Sequence, residues 1–568
     1  MRRFASIDFL RGIAIFLMVF LHVITHVLDV DGLIAEIDNI VLINIVAFIV
    51  LPFLGGLAGF FLMVSAIGNM ISMYRHLQAG RNVKDLVIRQ IMGGVLLLIF
   101  AMISESIFSV HGAIANLMKS LDDVSTWNWQ VILYRGYHFE TIHTIAWCII
   151  LNGIVQAALS RNDGWKNPKR LIRIYIILIV VIVVLTPLLW WLIDLAIPGY
   201  PWADNPNTGV IVQYPYIGRS EWWEFITLFF FNAIAGKEEP IFPYLAVSFM
   251  GSIIGIVLSQ DREQVQKNWL FLPKKTMQIG AIMFLIGSIG ILVNLVLLIS
   301  FVDMDAALDL YIGLPFHRNW VPENPSIASS VLPILGWLFQ FMSLNGAAIC
   351  LIMVVVRMVE FRGRGREFAD KTRFFRRFGF IAFTIYNIQW LYFLVWFIIS
   401  STIYGQPYLH LDWAGTFLTI AITFLILHGV LLAWERVKYT GSLEWTMGTI
   451  AAQIIPARKV EGKWWRSGQL NVEEAFYNAE WLNIIEKDKI RHDLHVDSKL
   501  SYKMSFFGFL FFPISFITYI IAKGSKRTEQ DNTYNKRAII ISLSGIGFFL
   551  VWLILSCLFS LGDLGISL

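Results

Sequence analysis

Residues 6–26 read Ser6-Ile7-Asp8-Phe9-Leu10-Arg11-Gly12-Ile13-Ala14-Ile15-Phe16-Leu17-Met18-Val19-Phe20-Leu21-His22-Val23-Ile24-Thr25-His26. The run is apolar except for a carboxylate and a guanidinium at one end and two imidazoles at the other, and roughly 20 such residues are what a helix needs to cross a bilayer. It follows Met1-Arg2-Arg3 in the manner of a signal peptide. Asp8 and Arg11 interrupt its start, however, and no small-residue cleavage site follows, so it reads as a retained first span. Asp8 and Arg11, three apart, share a helix face and can neutralise each other as an anchoring pair. His22 and His26, four apart, share a face roughly 15 to 20 Å further along, at the far side of the hydrocarbon.

The same pattern recurs along all 568 residues, of which 57% are hydrophobic and only 15% charged. No single soluble core hides that much apolar surface, so the expected fold is an all-α, polytopic membrane bundle of ten to twelve spans. Candidate spans are 7–28, 50–74, 86–110, 139–160, 174–197, 240–259, 276–301, 328–356, 378–400 and 411–433, with further apolar segments at 503–523 and 537–562. Shorter apolar runs at 39–49 and 222–234 read as interfacial. Cys148, Cys350 and Cys557 each lie in an apolar run and offer neither a disulfide framework nor metal spacing.

Lys and Arg concentrate in alternate loops: Arg75, Arg81 and Lys84; Arg161, Lys166, Lys169 and Arg170; Arg262, Lys267, Lys274 and Lys275; and a dense tract from Arg357 to Arg377. The intervening loops carry Asp29, Asp31, Glu36, Asp38, Asp122, Asp123, Asp303 and Asp305. By the positive-inside rule the expected product is a multi-pass cell-membrane protein with Met1 and residues 434–502 in the cytoplasm. Membrane topology accounts for the net charge of +5, and no nucleic-acid partner is expected.

Three units are expected: a membrane domain over 1–455, a cytoplasmic linker over 456–502 and a C-terminal hairpin over 503–568. In the linker, Asn471 and Glu474 form a capping pair that predicts a helix over 471–490. Its Phe476, Trp481, Ile484 and Ile485 predict an apolar face resting on the bilayer or on neighbouring cytoplasmic ends. In the hairpin, a full crossing by 503–523 would export Lys523, Lys526, Arg527, Lys536 and Arg537. Pro513, in the middle of that segment, is expected to bend it into a re-entrant arm, leaving one true span at 537–562.

Ionisable groups inside spans are functional candidates because hydrocarbon makes them costly. Glu105 lies near the outer end of the third span, and Glu140 and His143 near the outer start of the fourth. With His22 they place carboxylates and imidazoles at one membrane level, an arrangement suited to general acid–base chemistry and equally to a proton or ion path. No HExxH pattern or third ligand accompanies His22 and His26, so no metal is predicted.

The stretch Arg3-x-x-Ser6-Ile7-Asp8-x-x-Arg11-Gly12-x-Ala14-x-x-x-Met18-x-x-x-His22 resembles the first span of the transmembrane acyltransferases, which include acyltransferase family 3, the YeiB-like proteins and heparan-alpha-glucosaminide N-acetyltransferase. Gly59-Phe60-Phe61-Leu62-Met63-Val64-Ser65, Thr141-Ile142-His143-Thr144-Ile145-Ala146, Gly236-Lys237-Glu238-Glu239-Pro240-Ile241-Phe242-Pro243-Tyr244-Leu245 and Gly441-Ser442-Leu443-Glu444-Trp445 resemble later pieces of that family in the same order. The resemblance covers about residues 1–455. It implies transfer of an acyl group, acetyl in the simplest case, from cytoplasmic acyl-CoA to a glycan or other small extracytoplasmic or membrane acceptor, with His22 as the implicated histidine. The lumenal His-x-x-Trp-x-Gly loop of the glucosaminide enzyme is absent and Ser442 replaces a proline, which leaves the acceptor open. The C-terminal hairpin resembles that of the interferon-induced transmembrane, or dispanin-like, proteins in pattern.

A donor site follows from charge. Arg75, Arg81, Lys84, Arg89, Lys169 and Arg170 cluster at the ends of neighbouring spans, where guanidinium groups can pair with coenzyme A phosphates. Arg89 is singled out because it lies inside a span rather than in a loop. In the catalytic reading, His22 takes the acceptor proton with Glu105 or His143 in support; Asp8, Arg11, His26, Glu140 and Glu444 are structural. The alternative is a transporter or flippase whose His and Glu residues line a path, though no internal symmetry of the kind transporters show is evident.

Overall fold

The computed structural model describes residues 3–30, 54–109, 112–121, 141–196, 202–204, 211–213, 229–230, 233–234, 240–260, 272–300, 327–454, 459–460, 463–464, 470–482, 484, 495–509 and 512–563. The interfacial run 39–49, Glu140, residues 236–239 and most of the acidic loops lie outside the described residues. The main helices, in chain order, are α1 (Ala5–Val27), α2 (Leu57–Gln78), α3 (Val83–Ile103), α4 (Thr141–Ser160), α5 (Pro168–Ala196), α6 (Ile241–Leu258), α7 (Leu272–Ile299) and α8 (Ile327–Val356). They continue as α9 (Arg373–Phe380), α10 (Ala382–Ile388), α11 (Leu391–Ile403), α12 (Trp413–Arg436), α13 (Leu443–Ile454), α14 (Val472–Phe476), α15 (Val496–Ser505), α16 (Phe512–Thr528) and α17 (Thr533–Asp563). Strand content among the described residues is confined to two small antiparallel ribbons, 202–204 with 211–213 and 459–460 with 463–464.

The chain is an all-α multi-pass bundle: among the described residues ten helices are long and apolar enough to cross a membrane. They contain α1, α3 to α8, the α10–α11 pair, α12 and α17. The helix expected over 50–74 is α2, which packs in the interior against α1 and α6 and buries Phe60, Leu62, Met63, Val64 and Ile67. The outward faces of α5 and α7 are bare hydrocarbon, with Ile177, Val184, Leu188, Ile282, Ile289 and Val296 exposed. Water would penalise such surfaces, whereas lipid tails do not.

Hydrogen bonds between non-neighbouring segments define two ends. At the basic end Ser6 meets Glu360, Gln78 donates to the Ser259 carbonyl at 3.0 Å, and Arg377 pairs with Glu435 at 2.6 Å. At the opposite end Leu411 N–H donates to Val27 at 2.7 Å and Tyr408 donates to the Met118 carbonyl. Consecutive long helices therefore alternate in direction, as the loop charges predict.

Glycine sets the closest approach in the bundle. A Cβ on Gly12 would stand 1.9 Å from the Phe375 carbonyl oxygen, and one on Gly379 would stand 2.7 Å from Gly12 N. Backbone contact between α1 and α9 is possible only because both positions lack a side chain.

Two expectations in the C-terminal third are corrected. Asn471 does cap Glu474 N at 3.2 Å, but the helix it opens runs only Val472–Phe476, and residues 485–490 lie outside the described residues. The segment then docks on the basic end: Arg3 N donates to Glu480 O and Leu482 N to Arg3 O, both at 2.9 Å, and Ile484 N donates to Glu360 O at 3.1 Å. Packing of Phe476 on Phe380, with ring centroids 4.9 Å apart, replaces the further turns of helix.

Residues 496–528 fold back on themselves, and the turn is not at Pro513. α15 enters, residues 506–509 turn, and α16 returns, packed against α15 and α17. Pro513 is the second residue of the returning helix, where its missing N–H breaks no bond. Residues 496–502, expected in the linker, form the entering arm. Entrance and exit meet where Glu529 accepts from Asp497 N at 2.7 Å and Ser498 N at 3.0 Å. Arg357 pairs with Asp497 at 2.7 Å, and Arg362 bridges Asp497 and Glu529, all four side chains at most 5% exposed.

Candidate functional site

The site is organised by an interruption. The span Ala382–Ile403 is not one helix: α10 ends at Ile388, Gln389 and Trp390 form a turn, and α11 begins at Leu391. Tyr392 N and Phe393 N bond back to the Gln389 and Trp390 carbonyls at 3.0 and 2.9 Å, so much of the backbone debt of the break is met locally. At the other end of α10, the Glu444 carboxylate accepts from Phe383 N at 2.7 Å and Thr384 N at 3.3 Å, and Thr384 Oγ1 also donates to it. Glu444 thus caps a helix to which it does not belong, placing a carboxylate against an N-terminus. That is the structural task of the Gly441-Ser442-Leu443-Glu444-Trp445 element. Burial pushes the Glu444 carboxyl above its ordinary range, while hydrogen bonds from Thr384 and Phe383 oppose the shift.

α10 in turn carries polar side chains into the bundle. Tyr386 donates to Glu105 Oε1 at 3.0 Å, and Ser104 donates to Asn387 Oδ1. Glu105 is fully buried in a wide π-turn, Ser104–Phe108, that ends α3. On the other flank, His22 Nδ1 lies 2.9 Å from Gln389 Oε1. The Gln389 amide thus holds the imidazole through Nδ1 and leaves Nε2 as the other ring nitrogen. His26 Nδ1 lies 2.8 Å from the His22 carbonyl and 2.9 Å from Tyr392 Oη. A short helix and its break therefore join His22 and Glu105, which come from separate spans. Tyr386, Asn387 and Gln389 escape the sequence reading, although Thr384, Tyr386, Asn387 and Gln389 form a dense polar run inside an apolar span.

The remaining candidates fall as follows. His143 is fully buried in the first turn of α4, its ring edge-on to Phe229 with centroids 6.4 Å apart. A Cβ on Gly94 would touch Ile150, and one on Gly153 would touch Gln90, so α3 and α4 run antiparallel and His143 lies beside the last turns of α3. The Asp8 carboxylate attracts Arg11, as the spacing predicts, but its direct hydrogen bonds go to Arg3. Both oxygens of Asp8 are taken at 2.8 Å by the fork of Arg3, which precedes the helix and reaches the carboxylate with bidentate geometry. Arg11 also faces α2, where a Cβ on Gly68 would stand 3.0 Å from its Nη2. Ser6 donates through N–H and hydroxyl to Glu360 Oε1 at 3.0 and 2.9 Å, a buried acid that sequence reasoning did not single out.

The basic residues are all near one another in the order of helices but differ in exposure. Lys84, Arg89, Lys169 and Arg170 are exposed, Arg81 is intermediate, and Arg75 is half-buried with its guanidinium 5.3 Å from the Phe4 ring. Arg89 thus lies on the outer face of α3, beside the exposed Ile88, rather than inside the bundle. Between α2, α3, α4 and α6 lies a narrow cleft. Its polar lining is uncharged: Ser65, Asn69, Gln90, Asn152, Gln156 and Ser248. Asn152 donates to Ser248 at 3.0 Å and Ser252 at 2.6 Å, and Tyr175 donates to Asn152 at 3.0 Å and Gln156 at 2.9 Å. The cleft reaches Ile145, two residues from His143. No family model, curated protein or solved structure matches the chain.

Proposed function

We propose that this chain is an integral membrane acyltransferase that takes an acyl group, acetyl in the simplest case, from cytoplasmic acyl-CoA and passes it to a hydroxyl or amine on a glycan or other extracytoplasmic or membrane acceptor. The observation that carries the reading is the bridging of His22 and Glu105 through Gln389 and Tyr386 inside an apolar bundle. His22 takes the acceptor proton as that atom attacks the thioester carbonyl; the thiolate leaves and recovers a proton from the imidazolium. Glu105 and His143 support charge in the same layer. The amide- and hydroxyl-lined cleft suits the neutral pantetheine arm, and Arg75, Arg81, Lys84, Arg89, Lys169 and Arg170 suit the phosphates. The ordered resemblance over residues 1–455 supports the same assignment, as do the basic residues at one end for a cytoplasmic N-terminus.

The broken helix at Gln389 also favours a second reading, transport, since discontinuous spans commonly build transporter sites. Turnover separates the two. Purified protein should consume acetyl-CoA in the presence of a glycan acceptor, and His22→Ala should lower the rate about 10²–10⁴-fold while donor binding persists. His26→Ala should cost less, because that ring holds the His22 carbonyl and Tyr392 rather than Gln389. Full activity in His22→Ala sinks the mechanism; absence of turnover with saturable acceptor uptake favours transport.

A further inference from the structure

Near the end of the bundle opposite Arg3, a second, small cavity lies between α2, α6 and α8. Tyr244, Trp337 and Phe341 give it aromatic walls, Gln340 and Asn345 supply amides, and no lining side chain is charged. Trp337 is 4% exposed and stacks on Phe341, with centroids 5.8 Å apart and planes 29° apart. Its Nε1–H is buried and has no acceptor among the described residues. An orphaned donor of this kind costs about 1–3 kcal/mol, which an acceptor oxygen brought by a ligand would recover. Across the cavity, Asn345 Nδ2 donates to the Phe341 carbonyl at 2.8 Å, which fixes the amide. A Cβ on Gly59 would stand 3.6 Å from Asn345 Oδ1 and 3.5 Å from Tyr244 Cε1, so any larger side chain there would enter the space between them.

We propose that this cavity binds an uncharged, membrane-borne molecule that presents a carbonyl or hydroxyl oxygen to Trp337 Nε1 and lays an apolar body on the aromatic walls. A charged headgroup would find no counter-charge there and would pay heavily for desolvation. The space between these walls admits about one water-sized group, so the oxygen-bearing end alone enters and the chain stays in the bilayer. Diacylglycerol and polyprenol both offer this chemistry. The site is distinct from the layer around Gln389. Gly59 and Gly68 are about two and a half turns apart on α2 and so face opposite ways, Gly68 towards Arg11 of α1. The proposal stands independently of acyl transfer.

Equilibrium binding to the full-length protein in detergent tests it, with labelled dioleoylglycerol and polyprenol as probes and with phosphatidylglycerol and squalene as charged and oxygen-free controls. One or both oxygenated probes should saturate, and the controls should not; which probe saturates identifies the source. Trp337→Phe keeps the ring and should weaken binding about three- to tenfold, the worth of one neutral hydrogen bond. Gly59→Leu should fill the cavity and abolish binding. Failure of both probes, equal binding of either control, or unchanged affinity in Trp337→Phe overturns the site. Should Gly59→Leu fail to fold, the Trp337→Phe comparison decides alone.

Discussion

Arg3 and Arg11 show how a single side chain's reach decides its role. Spacing makes Arg11 the natural partner of Asp8, because three residues along a helix bring two side chains to one face. Arg3 wins because it lies before the helix and approaches the carboxylate end-on, so that both fork nitrogens reach both oxygens at 2.8 Å. The same attention to reach frames Arg89. It lies exposed on α3, and its neighbour Gln90 lines the uncharged cleft. Under the acyltransferase reading, Arg89→Ala should weaken acyl-CoA binding by about tenfold, the loss of one charge-assisted contact of about 1.5 kcal/mol, without unfolding the protein. Arg89→Lys should recover only part, since an ammonium cannot reproduce the bidentate fork. Equal affinity in all three proteins, measured by calorimetry, would assign Arg89 to topology alone.

At the scale of elements, α10 depends on a cap from elsewhere. Glu444→Ala leaves the buried N–H groups of Phe383 and Thr384 without an acceptor, at about 1–3 kcal/mol for each bond lost, and should lower thermal stability together with activity. Burial raises the Glu444 carboxyl above its ordinary 4.5, so the folded chain holds this proton more tightly than the unfolded one. Its contribution to stability is then complete below 4.5 and is lost as pH climbs through the raised value. The unfolding midpoint should fall with pH across that window, and Glu444→Gln, which cannot ionise, should flatten the slope. An unchanged slope in that variant places the pH dependence on other groups. The long apolar helices were legible in the sequence because hydrophobic length is a local property. The histidines and acids within them were legible for the same reason. What joins them was not. The break at Gln389, the cap from Glu444 and the turn at 506–509 depend on partners far along the chain, which no window of residues contains. Pro513 is the instructive case: proline marks an interruption, but it can begin a helix as readily as bend one.

For the whole molecule, the expected outcome of side-specific labelling follows from the alternation of helices. Single cysteines in 75–85, 161–171 and 357–377 should react with an impermeant reagent from the cytoplasmic side, and so should one in 529–532, because both mouths of the C-terminal hairpin meet the basic end. Reaction of 529–532 from outside would contradict the re-entrant arm. The hairpin is held by Arg357, Arg362, Asp497 and Glu529, all buried. Removing one member of such a network costs about 3–5 kcal/mol because its partners keep uncompensated charge. Arg362→Ala should therefore expose 496–528 to limited proteolysis while the spans stay inserted; protection equal to wild type would show that apolar packing alone holds the arm. The pairing of Arg3 with Glu480 and Leu482 has a consequence for biosynthesis. A ribosome delivers the first helix to the bilayer long before it delivers the strand that clamps that helix's start. Until residue 482 has been translated, the contacts at the start of α1 are incomplete, so a segment made late finishes an element that was made first.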